Sequence, residues 1–151
     1  MKKCFTLVDL IFVILIIGVL AAAAVPQFQN LKQNAEANNV VKTTFDGASS
    51  AASAAVNQLD LEDAVATSLT LKSLVSINGK GWSYDAATNN GVYTYQDPND
   101  TAAVAQIDLN ATGRTVTFGV DCQNLGDTMS QEKCCKVWTD ANDTAAVTLN
   151  F

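Results

Sequence analysis

Asp9 lies inside a run that is otherwise apolar. From Leu10 to Val25 every residue is apolar or glycine, and between Phe5 and Val25 only Thr6 and Asp9 are polar. A carboxylate deep in hydrocarbon costs about 2.5 to 3.5 kcal/mol on insertion scales, so an acid there marks a function that repays the cost. The other reactive groups are four cysteines, Cys4, Cys122, Cys134 and Cys135. Cys4 precedes the apolar run. The other three fall in one C-terminal stretch, and their spacing lacks the two-pair pattern of a zinc site. That arrangement points to a disulfide in an oxidising compartment, with one thiol outside it. Histidine is absent, which removes the commonest general base and the commonest metal ligand. A serine or cysteine nucleophile would then need a lysine or carboxylate base, and no motif supplies one. The chain reads as a protein that is not an enzyme and takes no cofactor or metal.

The remaining polar and aromatic clusters have plainer readings. Asp97-Pro98-Asn99-Asp100 offers oxygen ligands suited to calcium, but it lacks the glycine and the distal glutamate of an EF-hand loop. It reads as an Asx-rich turn. Trp82, Tyr84, Tyr93 and Tyr95 read as sheet packing rather than as a binding platform. The net charge is −6, from 9 Lys plus Arg against 15 Asp plus Glu. An acidic chain with scattered basic residues is a poor binder of nucleic acid.

These residues need elements to position them. Phe5–Val25 is 21 residues, or about 31 Å of helix, which matches a bilayer core. Helical spacing then continues through Phe28, Leu31, Ala35, Val41, Phe45, Ala48, Ala52 and Val56, apart from a gap around Asn38, as one apolar stripe on an amphipathic helix. Gly18 weakens the helix and Pro26 removes a backbone donor, so a kink or local break is expected there, but not an end. Asp60 reads as the N-cap of a short second helix over Leu61–Val75, with Glu62 and Asp63 in its first turn. Asn78-Gly79-Lys80-Gly81 breaks the helical pattern. Strand signals follow at Gly91–Tyr95, Ala103–Leu109, Thr115–Cys122, Lys136–Thr139 and Ala145–Phe151. The clearest is Thr115–Cys122, where Val116, Phe118, Val120 and Cys122 alternate with smaller or polar residues. Strands after a helical half predict an α+β fold: a long N-terminal helix packed on a small antiparallel sheet.

Three readings of the N-terminus compete. In a secretory signal peptide, Lys2 and Lys3 form the basic region, Leu10–Leu20 the apolar region and Ala22-Ala23-Ala24 the cleavage site. That reading leaves Asp9 unexplained. In a plain signal anchor, the two lysines hold the N-terminus in the cytoplasm and the remainder is an exported domain. The third reading uses every residue. MKKC-FTLVDLIFVILIIGVLAAAAVPQF resembles the start of the type IV pilin and pseudopilin family: a short basic leader, a cut before Phe and a nearly unbroken apolar helix. Phe5-Thr6-Leu7 matches the usual opening, and Gly18 and Pro26 fall where pilins commonly carry Gly and Pro. Cys4 stands where the family usually has Gly, and Asp9 where it usually has Glu.

The resemblance implies a structural subunit of a type IV pilus-like filament. Residues 1–4 would be a leader, 5–25 a transmembrane and assembly helix, and 26–151 the continuing helix with a globular domain. A prepilin peptidase would cut between Cys4 and Phe5, and Phe5 would be N-methylated. Residues 5 and 9 share a helix face, so Asp9 can neutralise the new Phe5 amine, its own or a neighbour's. The implied partners are copies of the same chain, the peptidase and the inner-membrane assembly machinery. The implied location is the bacterial inner membrane, N-terminus in the cytoplasm, and then an extracellular or periplasmic filament. A secretion pseudopilin or a minor pilin remains an alternative. Cys122 is expected to close a C-terminal loop with Cys135, which shares a face with Val137 if Lys136–Thr139 is a strand; Cys134 is the other possible partner.

Overall fold

The computed structural model describes residues 6–138 and 146–151, without the side chains at positions 26 and 29. The fold is α+β, a long N-terminal helix and a five-stranded antiparallel sheet. The chain divides into one unit ending at Gln33 and a second, Asn34–Phe151. Helix α1, Leu7–Val56, contributes to both. It runs through positions 18 and 26 without ending. After Asp9 its first turns, rich in Leu, Ile and Val, are apolar all round, and in one chain the large apolar side chains from Leu7 to Val25 are between 44% and 75% exposed.

In the second unit, helix α1 is amphipathic. Ala37, Val40, Val41, Thr44, Ala48, Ala51 and Ala55 are buried at three- or four-residue spacing. This stripe is narrower than the expected one and slightly rotated from it. Small residues occupy it because the helix lies close to the sheet. At Gly47 an added Cβ would sit 2.8 Å from Ile77 and 3.0 Å from Ile107. Phe45, expected on the stripe, lies at its margin, 52% exposed, with its ring edge-on to Phe118 at 6.0 Å.

Helix α1 gives way to one π-helical turn, Asn57–Leu61, and the chain turns at Asp63, whose φ is +52°. A left-handed residue there ends helical propagation. The expected helix over Leu61–Val75 is therefore absent. In its place are a short 3-10 turn, Ala66–Ser68, and helix α2, Leu71–Leu74. The N-cap of α2 is Thr70, whose hydroxyl accepts from Ser73 N at 3.2 Å. Asp60 caps nothing. Its carboxylate accepts two bonds from Arg114 Nη2 at 2.9 and 2.7 Å, and Arg114 Nε donates to the Phe151 backbone oxygen at 2.7 Å. The guanidinium holds Asp60 below the usual carboxylate range.

The sheet contains β1 (Trp82–Asp85), β2 (Val92–Gln96), β3 (Ala103–Asn110), β4 (Thr115–Val120) and β5 (Val147–Asn150), each paired with its sequence neighbour. β1 was not foreseen. One face carries Tyr93, Tyr95, Ile107, Leu109, Val116, Phe118 and Val120 into the core, and the opposite face carries Ser83, Thr94, Gln106 and Thr117. The aromatic residues are sheet packing, as expected: Trp82 lies opposite Tyr95 with ring centroids 5.4 Å apart, and Tyr84 opposite Tyr93 at 5.0 Å.

The expected strand at Lys136–Thr139 is replaced, within the described residues, by helix α3, Thr128–Val137. Asp127 is its N-cap, accepting from Ser130 N at 2.8 Å, and Glu132 pairs with Lys136 one turn apart. Four residues of local capping and pairing outweigh the strand preference of Val137 and Trp138. Thr139 lies outside the described residues.

Candidate assembly site

The N-terminal site begins at Thr6 and Asp9. The Thr6 hydroxyl lies 2.6 Å from Asp9 Oδ2, Thr6 N donates to the same oxygen at 3.2 Å, and Asp9 N donates to Thr6 Oγ1 at 3.3 Å. This is a reciprocal capping box: Thr6 is the N-cap of α1 and Asp9 occupies its third position. It satisfies two amide donors that a helix start leaves open, and it places the acid's negative charge at the positive end of the helix dipole. The Thr-x-x-Asp spacing was readable in the sequence, although the apolar setting drew attention to the acid alone. Among the described residues Asp9 Oδ1 accepts no hydrogen bond. Cys4 and Phe5 lie outside the described residues.

Beyond the cap, the helix is long and apolar enough to cross a membrane by length and composition. A Cβ added at Gly18 would meet nothing within 4 Å. Within one chain, nothing requires glycine there.

At the other end, Cys122 and Cys134 form a disulfide with Cα atoms 5.5 Å apart. This corrects the preference for Cys135. Because residues 128–137 are helical, adjacent residues point about 100° apart. Cys134 is fully buried beside Cys122, while Cys135 is exposed on α3. The closed loop has little apolar content and is held by polar bonds. Gln131 Nε2 donates to the carbonyls of Gln123 and Leu125 at 2.9 and 2.7 Å, and Asn124 Nδ2 donates to Ala103 O at 2.8 Å.

The Asp97 turn is tied to this loop. Asp97, only 3% exposed, accepts from Asn99 N at 2.8 Å through Oδ1 and from Gly126 N at 2.9 Å through Oδ2. It is an Asx turn whose second oxygen latches the disulfide loop. Both oxygens point at amides, which is the arrangement of an anchor and not of an open oxygen-ligand cage.

Sequence reasoning missed Asn90. Its side-chain amide donates to Ala66 O at 2.9 Å and Leu69 O at 2.7 Å, and its oxygen accepts from Ala111 N at 2.9 Å. One side chain thereby ties three connections together. In the sequence only the Asn90-Gly91 pair, a turn-forming dipeptide, marks the place. Next to it, Gly91 adopts φ +102°, and an added Cβ would lie 2.2 Å from the Tyr84 hydroxyl.

An exposed apolar helix and a small α+β domain with a disulfide-closed loop fit the layout that the resemblance to pilins implies. The chain resembles the type IV pilin family. Several sequences of the type IV major fimbrial protein FimA of Dichelobacter nodosus are 43% identical to it over 44 residues. The match covers 29% of this chain and 28% of the relative, so the chain spans less than a third of the length of these curated relatives. No family model matches, and no solved structure matches.

Proposed function

We propose that this chain is a structural subunit of a type IV pilus-like filament and carries no catalytic activity. The observation that carries the proposal is the exposed run from Leu7 to Val25, which ends in the Thr6–Asp9 capping box. Such a surface must be covered by lipid or by other copies of itself. Similarity to a fimbrial protein favours both in turn: an anchored precursor in the inner membrane with its N-terminus in the cytoplasm, and then a polymer outside it. The finer steps are that a prepilin peptidase cuts between Cys4 and Phe5, that Phe5 is N-methylated, and that assembly machinery extracts the mature chain.

In this reading Asp9 works with two partners. Thr6 holds Oδ2, and Oδ1 remains for the Phe5 amine of a neighbouring copy. Buried charges are tolerated chiefly when paired, so a subunit docked out of register would leave both groups uncompensated. Gly18 and Pro26 are proposed as the weak points at which the helix adjusts on packing.

The test compares Asp9→Ala and Asp9→Glu in cells, with intact mass spectrometry of membrane-extracted protein and of sheared filaments. Asp9→Ala inserts at least as well as the parent, because the polar cost of about 2.5 to 3.5 kcal/mol is gone, and it builds no filaments. Asp9→Glu builds them. Normal filaments from Asp9→Ala refute the pairing role. A mature N-terminus at Val25 refutes the cleavage site.

A further inference from the structure

The chain contains two Asn-Gly pairs, Asn78-Gly79 and Asn90-Gly91, and the structure treats them in opposite ways. An Asn-Gly pair can cyclise without an enzyme. The glycine amide nitrogen attacks the asparagine side-chain carbonyl carbon, the bond to Nδ2 breaks and ammonia leaves. The resulting five-membered succinimide is then opened by water at either carbonyl, giving aspartate or isoaspartate. Glycine favours the reaction because no Cβ hinders the approach of its nitrogen and its backbone rotates freely. The reaction needs a glycine N–H free of a hydrogen bond, a side-chain amide free to turn, and water.

At Asn90 all three are denied. Gly91 N donates to Thr88 O at 2.7 Å. The Asn90 amide nitrogen is held by two carbonyls and its oxygen by Ala111 N. Asn90 is half-buried and Gly91 is buried. At Asn78 the glycine amide and water access are open, and the side chain is held by a single bond. Asn78 and Gly79 are both exposed. Among the described residues Gly79 N donates no hydrogen bond, and Asn78 Nδ2 donates one, to the exposed Ser76 hydroxyl at 3.0 Å.

We propose that Asn78 is a site of spontaneous deamidation, converting to aspartate and isoaspartate in the folded protein, and that the fold protects Asn90 from the same reaction. Conversion sets a carboxylate on the exposed turn before β1, two residues from Lys80. The acidic fraction then grows with the age of the molecule.

The experiment incubates the full-length chain in nonionic detergent at mildly alkaline pH and samples it by tryptic peptide mapping. Cleavage after Lys72, Lys80 and Arg114 puts Asn78 in peptide 73–80 and Asn90 in peptide 81–114. The expected result is that peptide 73–80 splits progressively into aspartate and isoaspartate forms while peptide 81–114 stays intact. In denaturing urea both peptides convert. Gly79→Ala slows the reaction and Asn78→Gln abolishes the acidic variant. Both changes suit the fold, since Asn78 is exposed and the Cβ at Gly79 would meet only Trp82 at an ordinary 3.6 Å. Equal conversion of the two peptides in folded protein overturns the proposal. So does a folded-state 73–80 peptide that stays unchanged, or an acidic variant that persists in Asn78→Gln.

Discussion

Replacing Asn90 tests how the connections of the domain are held. Asn90→Ala removes three hydrogen bonds, two donated to Ala66 O and Leu69 O and one accepted from Ala111 N. Leu69 and Ala111 are buried, so their freed groups do not regain water easily. At about 1 kcal/mol per bond, with an added penalty for stranded partners, the loss is roughly 3 to 4 kcal/mol. Asn90→Asp is nearly isosteric and keeps the bond from Ala111. It also sets a carboxylate oxygen against two carbonyl oxygens, where the amide nitrogen now lies at 2.9 and 2.7 Å. It is expected to cost at least as much as Asn90→Ala, despite removing fewer atoms. The assay is equilibrium urea unfolding in nonionic detergent, followed by the fluorescence of Trp82 and Trp138, with the slope held constant between variants. For a chain of this length the loss also appears as a fall in Tm of roughly 2 to 4 °C per kcal/mol. The reasoning is refuted if Asn90→Ala unfolds within about 0.5 kcal/mol of the parent, the range of an ordinary surface change. It is also refuted if Asn90→Asp is the more stable of the two.

Three further outcomes follow from the same geometry. Non-reducing peptide mapping finds Cys122 joined to Cys134, and Cys122→Ser lowers stability by roughly 3 kcal/mol, the chain-entropy value for a loop of about a dozen residues. Gly18→Ala leaves monomer stability unchanged or slightly raised, since its Cβ meets nothing within 4 Å; any filament defect it shows therefore reports contact with another copy. Burial, with the negative charges of Glu36 and Asp97, pushes the Tyr95 phenol up to about 12 from its ordinary 10. The folded state thus favours the protonated phenol. That contribution is complete below pH 10, fades as pH rises toward 12, and disappears in Tyr95→Phe when unfolding is measured across that range.

The sequence revealed most where periodicity was long and one face was buried. Thr115–Val120 alternates because Val116, Phe118 and Val120 all enter the core. The exposed apolar run could be read from composition alone. Reading failed where a few local bonds decide the outcome. α3 depends on Asp127 capping it through the Ser130 amide, a signal four residues long, and the pair Val137-Trp138 pointed toward a strand. That error moved the disulfide partner by one residue. Asp60 has the composition of a cap, but it answers to Arg114, which is distant in sequence. The role of Asn90 exists only after three separate connections have been brought together, so no window along the chain contains it. Asp9 was noticed for its cost in lipid, while its bond to Thr6 shows that the helix itself meets part of that cost.

The strand order has a kinetic consequence. Each of the five strands pairs only with its neighbour in sequence, so the closures that build the sheet are short ones, apart from the last, which joins β5 to β4 across α3. Low contact order of this kind favours rapid folding, because little loop entropy is lost before each pairing is rewarded. As the chain is made from its N-terminus, β1 to β4 can pair one after another. β5 follows them, and Arg114, in the turn just before β4, donates a hydrogen bond to Phe151 O beside it. Formation of the sheet can thus keep pace with synthesis of its strands, and β5 closes it by pairing with β4 across α3.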